Sequence, residues 1–253
     1  MLENYIRERL SEKKILLMTH IVIGYPSLEA SMEIVETMVD AGVDLMELQI
    51  PFSEPIADGP VILKANQQAL ASGVTVAQCL DFGKTVAGRF SIPFLYMTYY
   101  NILFKYGVNR FAGHMHTAGL RGAIVPDLPP EEANAYLEAM GANQLAPIFI
   151  YSPTTSTNRM STIAGVAEGF VYCVARKGVT GDQTEFSQQL DSYLDRCRKV
   201  TSLPLALGFG VQDRSDIEFL KGKADIAVIG TQALRIVEEK GIPALNGFLK
   251  DLQ

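Results

Sequence analysis

The sequence predicts an α/β fold, a single (β/α)8 TIM barrel over residues 1–253 with an extra N-terminal helix and an additional helix after strand 2. Three observations predict it. Eight short apolar runs of strand type are each followed by a helical pattern. Glycine and proline separate many of these elements, and no low-complexity linker interrupts their order. Eight such units in 253 residues fit a closed barrel of parallel strands better than an open sheet.

The first half of the chain opens with a short amphipathic helix at residues 4–12. A strand at 15–23 follows and is stopped by Gly24 and Pro26. Ser27 can cap the next helix, at 28–41, and Gly42 ends it. The remaining elements of this half are the strands at 45–50, 93–99 and 122–125 and the helices at 61–71, 76–87 and 107–118.

The second half of the chain repeats the same alternation. Pro130 begins a helix at 130–140, because proline is favoured in the first helical turn. Strands are then predicted at 146–150, 170–175, 205–208 and 226–229. The helices between and after them are predicted at 158–164, 186–200, 213–220, 232–240 and 243–252.

Composition restricts the partners and the compartment. The net charge is −6 at pH 7, which argues against nucleic acid or an anionic membrane as partner. The three cysteines, at residues 79, 173 and 197, lack metal-ligand spacing, so no metal is expected. Residues 1–14 are polar rather than signal-like, and no apolar run reaches membrane-spanning length. We therefore expect a soluble cytoplasmic protein.

The stretch of residues 45–62 is the most informative part of the sequence. Side chains alternate faces along a strand, so Glu47 and Gln49 share one face of the strand that opens it. A carboxylate in an apolar strand is costly unless a function or a partner satisfies it. Asp58 follows in the loop, and two carboxylates at one strand end predict acid–base chemistry. Alternatively, Glu47 pairs with a buried basic residue and Asp58 caps the helix near Pro60.

Glycine-containing loops after strands 7 and 8 predict a phosphate site. Barrels of this class often bind phosphate at these two loops, where small residues expose backbone N–H groups. The candidates are Gly208, Phe209 and Gly210 after strand 7, and Gly230 and Thr231 after strand 8. Ordinary turns are the alternative, since glycine serves them as well.

Further residues could line the same mouth of the barrel. The loop 176–182 could close over it as a lid, or could be an ordinary surface loop. Tyr99 and Asn101 follow strand 3 and Asp127 follows strand 4, although Asp127 could instead cap the helix that comes next. His20 lies on strand 1, where a structural histidine is commoner than a catalytic one.

A set of motifs runs in order over nearly the whole chain. The most specific is Glu-Leu-x-Ile-Pro-Phe-Ser-x-Pro-x-Ala-Asp-Gly-Pro at residues 47–60. The others are Tyr99-x-Asn101, Asp127-x-Pro129, Ala146-Pro-Ile-Phe149, Arg176-x-Gly178-Val-Thr180-Gly181 and Gly208-Phe-Gly210. Together these motifs closely resemble those of the tryptophan synthase alpha chain family.

The resemblance implies a barrel that cleaves indole-3-glycerol phosphate to indole and glyceraldehyde 3-phosphate. Indole then passes to a partner beta chain in an α2β2 heterotetramer, where pyridoxal phosphate serves tryptophan formation. No cofactor is expected in this chain itself. Glu47 corresponds to the family's general acid–base, and Asp58 to the carboxylate that faces the indole nitrogen. The residues expected to bind substrate are Tyr99, Tyr172, Thr180, Gly181, Gly208, Phe209, Gly210, Gly230 and Thr231.

The chain departs from the family pattern at Gln49, where glycine is usual, and at His20, where an aromatic residue usually packs on the indole. Gln49 could occupy substrate space or hydrogen-bond Glu47. Two milder departures are Glu54, in the loop that meets the beta chain, and Thr231, at the phosphate site. Two interpretations remain: a working lyase, or a catalytically weak or inactive subunit that mainly activates the beta chain. A third, weaker one is another phosphate-binding barrel enzyme.

Overall fold

The computed structural model describes residues 1–175, 183–208 and 210–253. Within these ranges, eight parallel strands pair in chain order, and β1 also pairs with β8 to close the barrel. The predicted fold class is therefore confirmed. The strands are β1 (Leu16–Val22), β2 (Leu45–Gln49), β3 (Phe94–Met97), β4 (Gly122–Ile124), β5 (Ala146–Tyr151), β6 (Val171–Val174), β7 (Leu205–Gly208) and β8 (Ile226–Ile229).

Helices surround the barrel, and both predicted extra helices are present. One precedes β1, and two separate β2 from β3. No helix in the described ranges combines the length and apolar character needed to cross a membrane. The helices are α1 (Leu2–Glu12), α2 (Leu28–Asp40), α3 (Pro60–Ala71), α4 (Val76–Arg89), α5 (Tyr100–Tyr106), α6 (Val108–Ala118), α7 (Asn134–Ala142), α8 (Thr157–Ala164), α9 (Gln183–Val200), α10 (Arg214–Leu220), α11 (Thr231–Lys240) and α12 (Ile242–Asp251).

Two details of the sequence prediction are wrong. The helix α5 was not expected; it begins where the backbone N–H of Tyr100 donates to Oδ1 of Asp127 at 2.9 Å. Asp127 therefore hydrogen-bonds to the first residue of α5 and does not cap the helix after Pro130. That helix also starts later than predicted, because residues 130–132 form a 3₁₀ turn in which Ala133 N–H bonds back to the Pro130 carbonyl.

The alternation of the strands separates two layers of side chains. Leu16 and Met18 of β1 face the barrel interior, where Leu2 and Ile6 of α1 join them. The intervening residues, among them Leu17, pack outward against the helices. The interior is therefore apolar at the end of the barrel near α1, and its inward-facing polar side chains lie further along the strands.

Candidate active site

The candidate site lies at the C-terminal mouth of the barrel, where inward-facing residues of β1 and β2 meet. His20 is in register with Glu47, and Gln49 follows two residues nearer the mouth. Their side chains are buried: the exposed fraction is 4% for His20, 2% for Glu47 and 0% for Gln49. Because the strands are parallel, their carboxyl ends gather these polar groups at one place.

Glu47 is held by two neighbours across the interior. Its Oε1 lies 3.4 Å from Nδ1 of His20 and accepts a 3.3 Å hydrogen bond from the hydroxyl of Tyr172 on β6. Glu47 therefore lies beside a buried basic residue, His20, which is the alternative to a purely catalytic role that the sequence left open. Burial alone lowers the pKa of His20, but the nearby carboxylates and the amide of Gln49 outweigh it and raise that pKa. Burial and the charge of Glu47 raise the pKa of Tyr172, so its hydroxyl stays protonated.

Asp58 lies in the loop after β2 and accepts hydrogen bonds from three parts of the chain. Its Oδ2 is 2.6 Å from Nε2 of Gln49, 3.4 Å from the hydroxyl of Tyr99 and 3.5 Å from Nδ2 of Asn66. Burial raises the pKa of Asp58, while the Gln49 hydrogen bond and the charge of His20 oppose that rise. Asp58 does not cap α3, whose first turn has no side-chain cap.

A further set of contacts fixes the loop that carries Asp58. Asn66 on α3 is fully buried, and its Oδ1 accepts the N–H of Phe52 at 2.9 Å. The ring of Phe52 stacks on Tyr99 with 4.9 Å between centroids. The Tyr99 hydroxyl also accepts the N–H of Ala57 at 3.1 Å. The backbone is therefore attached to the barrel on the N-terminal side of Asp58, which limits where its carboxylate can point.

The predicted phosphate loops reach the same mouth. Gly208 ends β7 against the ring of Tyr172, and a Cβ there would lie 3.0 Å from Cε1. Gly230 lies beside His20, with 3.3 Å between a Cβ built there and the Cβ of His20. Thr231 is the first residue of α11, so the predicted helix start after strand 8 is confirmed. These two loop backbones approach the side chains around Glu47.

The other predicted site residues fall into three groups. Asn101 is exposed on α5, and Asp127 holds the start of that helix. Gly210 is exposed and has a φ of +90°, and among the described residues nothing beyond its chain neighbours lies within 4 Å of a Cβ built there. Outside the described residues lie Thr180, Gly181, Phe209 and the predicted lid at 176–182.

Comparison with known proteins decides the family. A family model described as tryptophan synthase alpha chain matches residues 6–248. The chain belongs to the tryptophan synthase alpha chain family. Two relatives of that name come from Syntrophotalea carbinolica, 66% identical over 253 residues, and Desulforapulum autotrophicum, 62% identical over 252 residues. Both alignments cover 100% of this chain and of the relative. As a member of this family, the chain is a lyase of tryptophan biosynthesis.

Solved tryptophan synthase structures share the fold. The crystal structure of tryptophan synthase from M. tuberculosis in its aminoacrylate-bound form matches with a TM-score of 0.91 at 28% identity, over 99% of this chain and 97% of that one. The tryptophan synthase subunit alpha of Legionella pneumophila matches with a TM-score of 0.89 at 29% identity, over 99% and 96% of the two chains. The match over nearly the full length of each chain supports the closed barrel as the family fold.

The two departures from the tryptophan synthase alpha chain pattern lie side by side in this mouth. Gln49 uses its N–H on Asp58 rather than on Glu47. One polar atom of each side chain has no partner: Nε2 of His20 and Oε1 of Gln49 are buried and make no hydrogen bond within the described part of the chain. In that same part, no cluster of three or more His, Cys, Asp or Glu side chains could hold a metal.

Asn66 was missed by the sequence analysis. It contacts Asp58, Gln49 and the Phe52 backbone within 3.5 Å. The signal available was its place on α3, on the face that also carries Ala65 and Ala69. An amide within an apolar helix face requires a partner, just as a carboxylate within an apolar strand does.

Proposed function

We propose that this chain, acting as one (β/α)8 barrel domain, cleaves indole-3-glycerol phosphate to indole and glyceraldehyde 3-phosphate. The observation that carries the proposal is the presence of two carboxylates in one mouth with different partners. Glu47 is held by His20 and Tyr172, whereas Asp58 is held by Gln49 and the groups around its loop. Carboxyl groups in different environments can take different roles, one exchanging protons and the other remaining anionic.

Glu47 serves as acid and then as base. Its carboxyl proton goes to C3 of the indole, which leaves the ring as a cation. The resulting carboxylate removes the proton of the glycerol hydroxyl next to that carbon. The bond between C3 and the glycerol chain then breaks, its electron pair restores the neutral indole, and the hydroxyl carbon becomes the aldehyde. Glu47 ends protonated, so the proton count balances without a cofactor.

Asp58 stabilises the cationic ring. Its carboxylate faces the indole N–H, where positive charge develops once C3 is protonated. Burial raises the pKa of Asp58, so the opposing hydrogen bond from Gln49 helps to keep the group ionised. The hydroxyl of Tyr99 donates a second hydrogen bond to the same carboxylate oxygen.

The phosphate of the substrate binds at the loops after β7 and β8. The backbone of Gly208 packs against Tyr172, that of Gly230 packs against His20, and that of Gly210 is exposed. Thr231 starts a ten-residue helix whose N-terminus favours an anion. By the family resemblance, the substrate contacts also include Tyr172, Thr180, Gly181 and Phe209.

A tryptophan synthase beta chain receives the indole in an α2β2 complex in the cytoplasm, and pyridoxal phosphate belongs to that partner. Two exposed apolar side chains support a docking surface near the mouth: Ile56, in the loop after β2, is 79% exposed, and Phe104, on α5, is 67% exposed. Glu54 is exposed in the same loop as Ile56. Apolar side chains left this open on a soluble barrel suit burial by a partner.

A second candidate function is that of an activating subunit with little lyase activity of its own. One contact favours it: Nε2 of Gln49 lies 2.6 Å from Oδ2 of Asp58, closer than the other donors to that oxygen, and competes there with the indole N–H. In this case the chain would raise the turnover of the beta chain from serine and added indole but release little indole from the phosphate ester.

The test is indole release from indole-3-glycerol phosphate by the purified chain, with and without the beta chain. We expect release that increases with the beta chain and is lost in Glu47→Gln. Glu33→Gln, an exposed exchange of the same type on α2, is the matched control and should keep wild-type activity. Beta-chain turnover from serine and indole is measured in parallel. No release, with faster beta-chain turnover, would establish the activating subunit instead.

A further inference from the structure

His20 lies between the acid–base carboxyl group and the loop at the end of β8. On one side β1 pairs with β2, where His20 is in register with Glu47, and Nδ1 of the ring is 3.4 Å from Oε1 of that carboxyl group. On the other side β1 pairs with β8, where Thr19 is in register with Ile229, so that His20 is level with Gly230. The histidine is therefore the neighbour of both parts of the mouth.

The two edges of the imidazole ring face these two neighbours. A Cβ built at Gly230 would lie 3.3 Å from Cβ, 3.6 Å from Cγ and 3.8 Å from Cδ2 of His20. Since Cδ2 is bonded to Nε2, the ring edge that carries Nε2 lies toward Gly230, whereas Nδ1 lies toward Glu47. The two nitrogens of one ring thus serve different parts of the mouth.

Nε2 is the ring atom that still needs a partner. His20 is only 4% exposed, and this nitrogen makes no hydrogen bond within the described part of the chain. A buried polar atom without a partner costs free energy, and such an atom in a native structure requires an explanation. At a mouth that binds a ligand, a polar group of the ligand is the partner that explains it.

We propose that His20 is a substrate-binding residue whose Nε2 forms a hydrogen bond with the middle hydroxyl of the glycerol chain. This inference rests on the proposed function, which fixes both ends of that chain. Glu47 acts on the hydroxyl of the carbon next to the indole, and the phosphate binds at the loop that contains Gly230. The carbon between these two ends carries the middle hydroxyl, and His20 lies between the same two ends.

A hydroxyl matches this nitrogen in both protonation states of the ring. When Nδ1 donates to Glu47, Nε2 is an acceptor in the neutral ring and a donor in the charged ring. A hydroxyl can both donate and accept, whereas the oxygens of an ionised phosphate only accept. A site that pairs with a substrate hydroxyl discriminates against a ligand that lacks it. The contact would therefore make this chain selective for the hydroxylated chain.

The direct test measures binding of two ligands that cannot be cleaved, because neither carries a hydroxyl on the carbon next to the indole. One is indole-3-propanol phosphate. The other is the same compound with a hydroxyl on the middle carbon, in the configuration of the substrate. Calorimetric titration gives Kd for both. We expect the wild-type chain to bind the hydroxylated ligand roughly fivefold to hundredfold more tightly, because the other ligand leaves Nε2 unpaired.

Variants of His20 separate the roles of the two nitrogens. The amide N–H of His20→Gln reaches about as far along the side chain as Nε2, whereas that of His20→Asn reaches only as far as Nδ1. We expect His20→Gln to retain a preference for the hydroxylated ligand, and His20→Asn and His20→Phe to bind the two ligands within about twofold of each other. His116→Gln, an exchange of the same type at an exposed position on α6, is the matched control and should keep the full preference.

Equal binding of the two ligands by the wild-type chain would overturn the proposal, since a buried water would then be the partner of Nε2. A preference that survives unchanged in His20→Phe would overturn it as well. An equal loss of affinity for both ligands in His20→Phe would place the contact on the phosphate, which also contradicts the proposal. A wild-type chain that shows the preference but releases no indole from indole-3-glycerol phosphate would count against the proposed lyase function alone.

Discussion

The ring of Tyr172 lies against the backbone of Gly208, so that a Cβ at residue 208 would come within 3.0 Å of Cε1 and 3.1 Å of the hydroxyl. That same hydroxyl donates to Oε1 of Glu47 at 3.3 Å. Because Gly208 on β7 has no side chain, Tyr172 on β6 has room to reach Glu47. A glycine first assigned to phosphate binding also has a packing role.

Gly208→Ala should lower lyase activity by displacing Tyr172. A neutral hydrogen bond of this kind contributes about 0.5–1.5 kcal/mol, so we expect a loss in kcat/KM of roughly twofold to tenfold. Tyr172→Phe should give a similar loss with no change in backbone. The control is Gly88→Ala on α4, where a new Cβ has no described atom within 4 Å beyond its chain neighbours and its own helix backbone. A drop in Gly208→Ala without one in Tyr172→Phe would show that the alanine acts on phosphate binding instead.

The acid limb of the kcat/KM profile should move to higher pH in Gln49→Ala. Burial raises the pKa of Asp58, and the hydrogen bond from Gln49 is the largest of the effects that oppose it. Removing that bond raises the pKa further, so the ionised form that faces the indole is lost at a higher pH on acidification. Rates of indole release between about pH 4 and pH 9, the range in which carboxyl and imidazole groups ordinarily titrate, would measure the limb. A limb that stays in place, or moves to lower pH, would mean that Asp58 does not set it.

The predictable parts of this protein are those that local pattern determines. Strand alternation placed Glu47 and Gln49 on one face, and glycine, proline and serine signals placed the helix ends, as at Ser27, whose hydroxyl accepts the N–H of Ala30. The contacts across the barrel were not predictable in detail. Gln49 was considered as a partner of Glu47 but bonds to Asp58, because the path of the loop after β2 is set by packing against Phe52 and Asn66.

Asp44→Ala should destabilise the end of the barrel that α1 covers. The buried carboxylate accepts the N–H of Leu17 at 3.0 Å, and its other oxygen lies 3.1 Å from Arg9 and 2.8 Å from Lys13. Alanine leaves the Leu17 N–H unpaired inside the protein, which costs about 1–3 kcal/mol. Urea unfolding measures the difference. Asp40→Ala, at the exposed end of α2, should change stability by no more than about 0.5 kcal/mol, and equal effects of the two changes would contradict the assignment.

Two glycines on α4 should respond to alanine in opposite directions. At Gly83 a Cβ would lie 2.0 Å from the hydroxyl of Tyr96, which is fully buried and donates to the carbonyl of Cys79 at 3.1 Å. Gly83→Ala must displace that ring and should cost about 1–3 kcal/mol. Gly88 is exposed with open space around it, so Gly88→Ala should stabilise the helix by about 0.5–1 kcal/mol. Chemical unfolding of both variants measures the contrast, and a stabilised Gly83→Ala variant would mean that Tyr96 can move out of the way without loss.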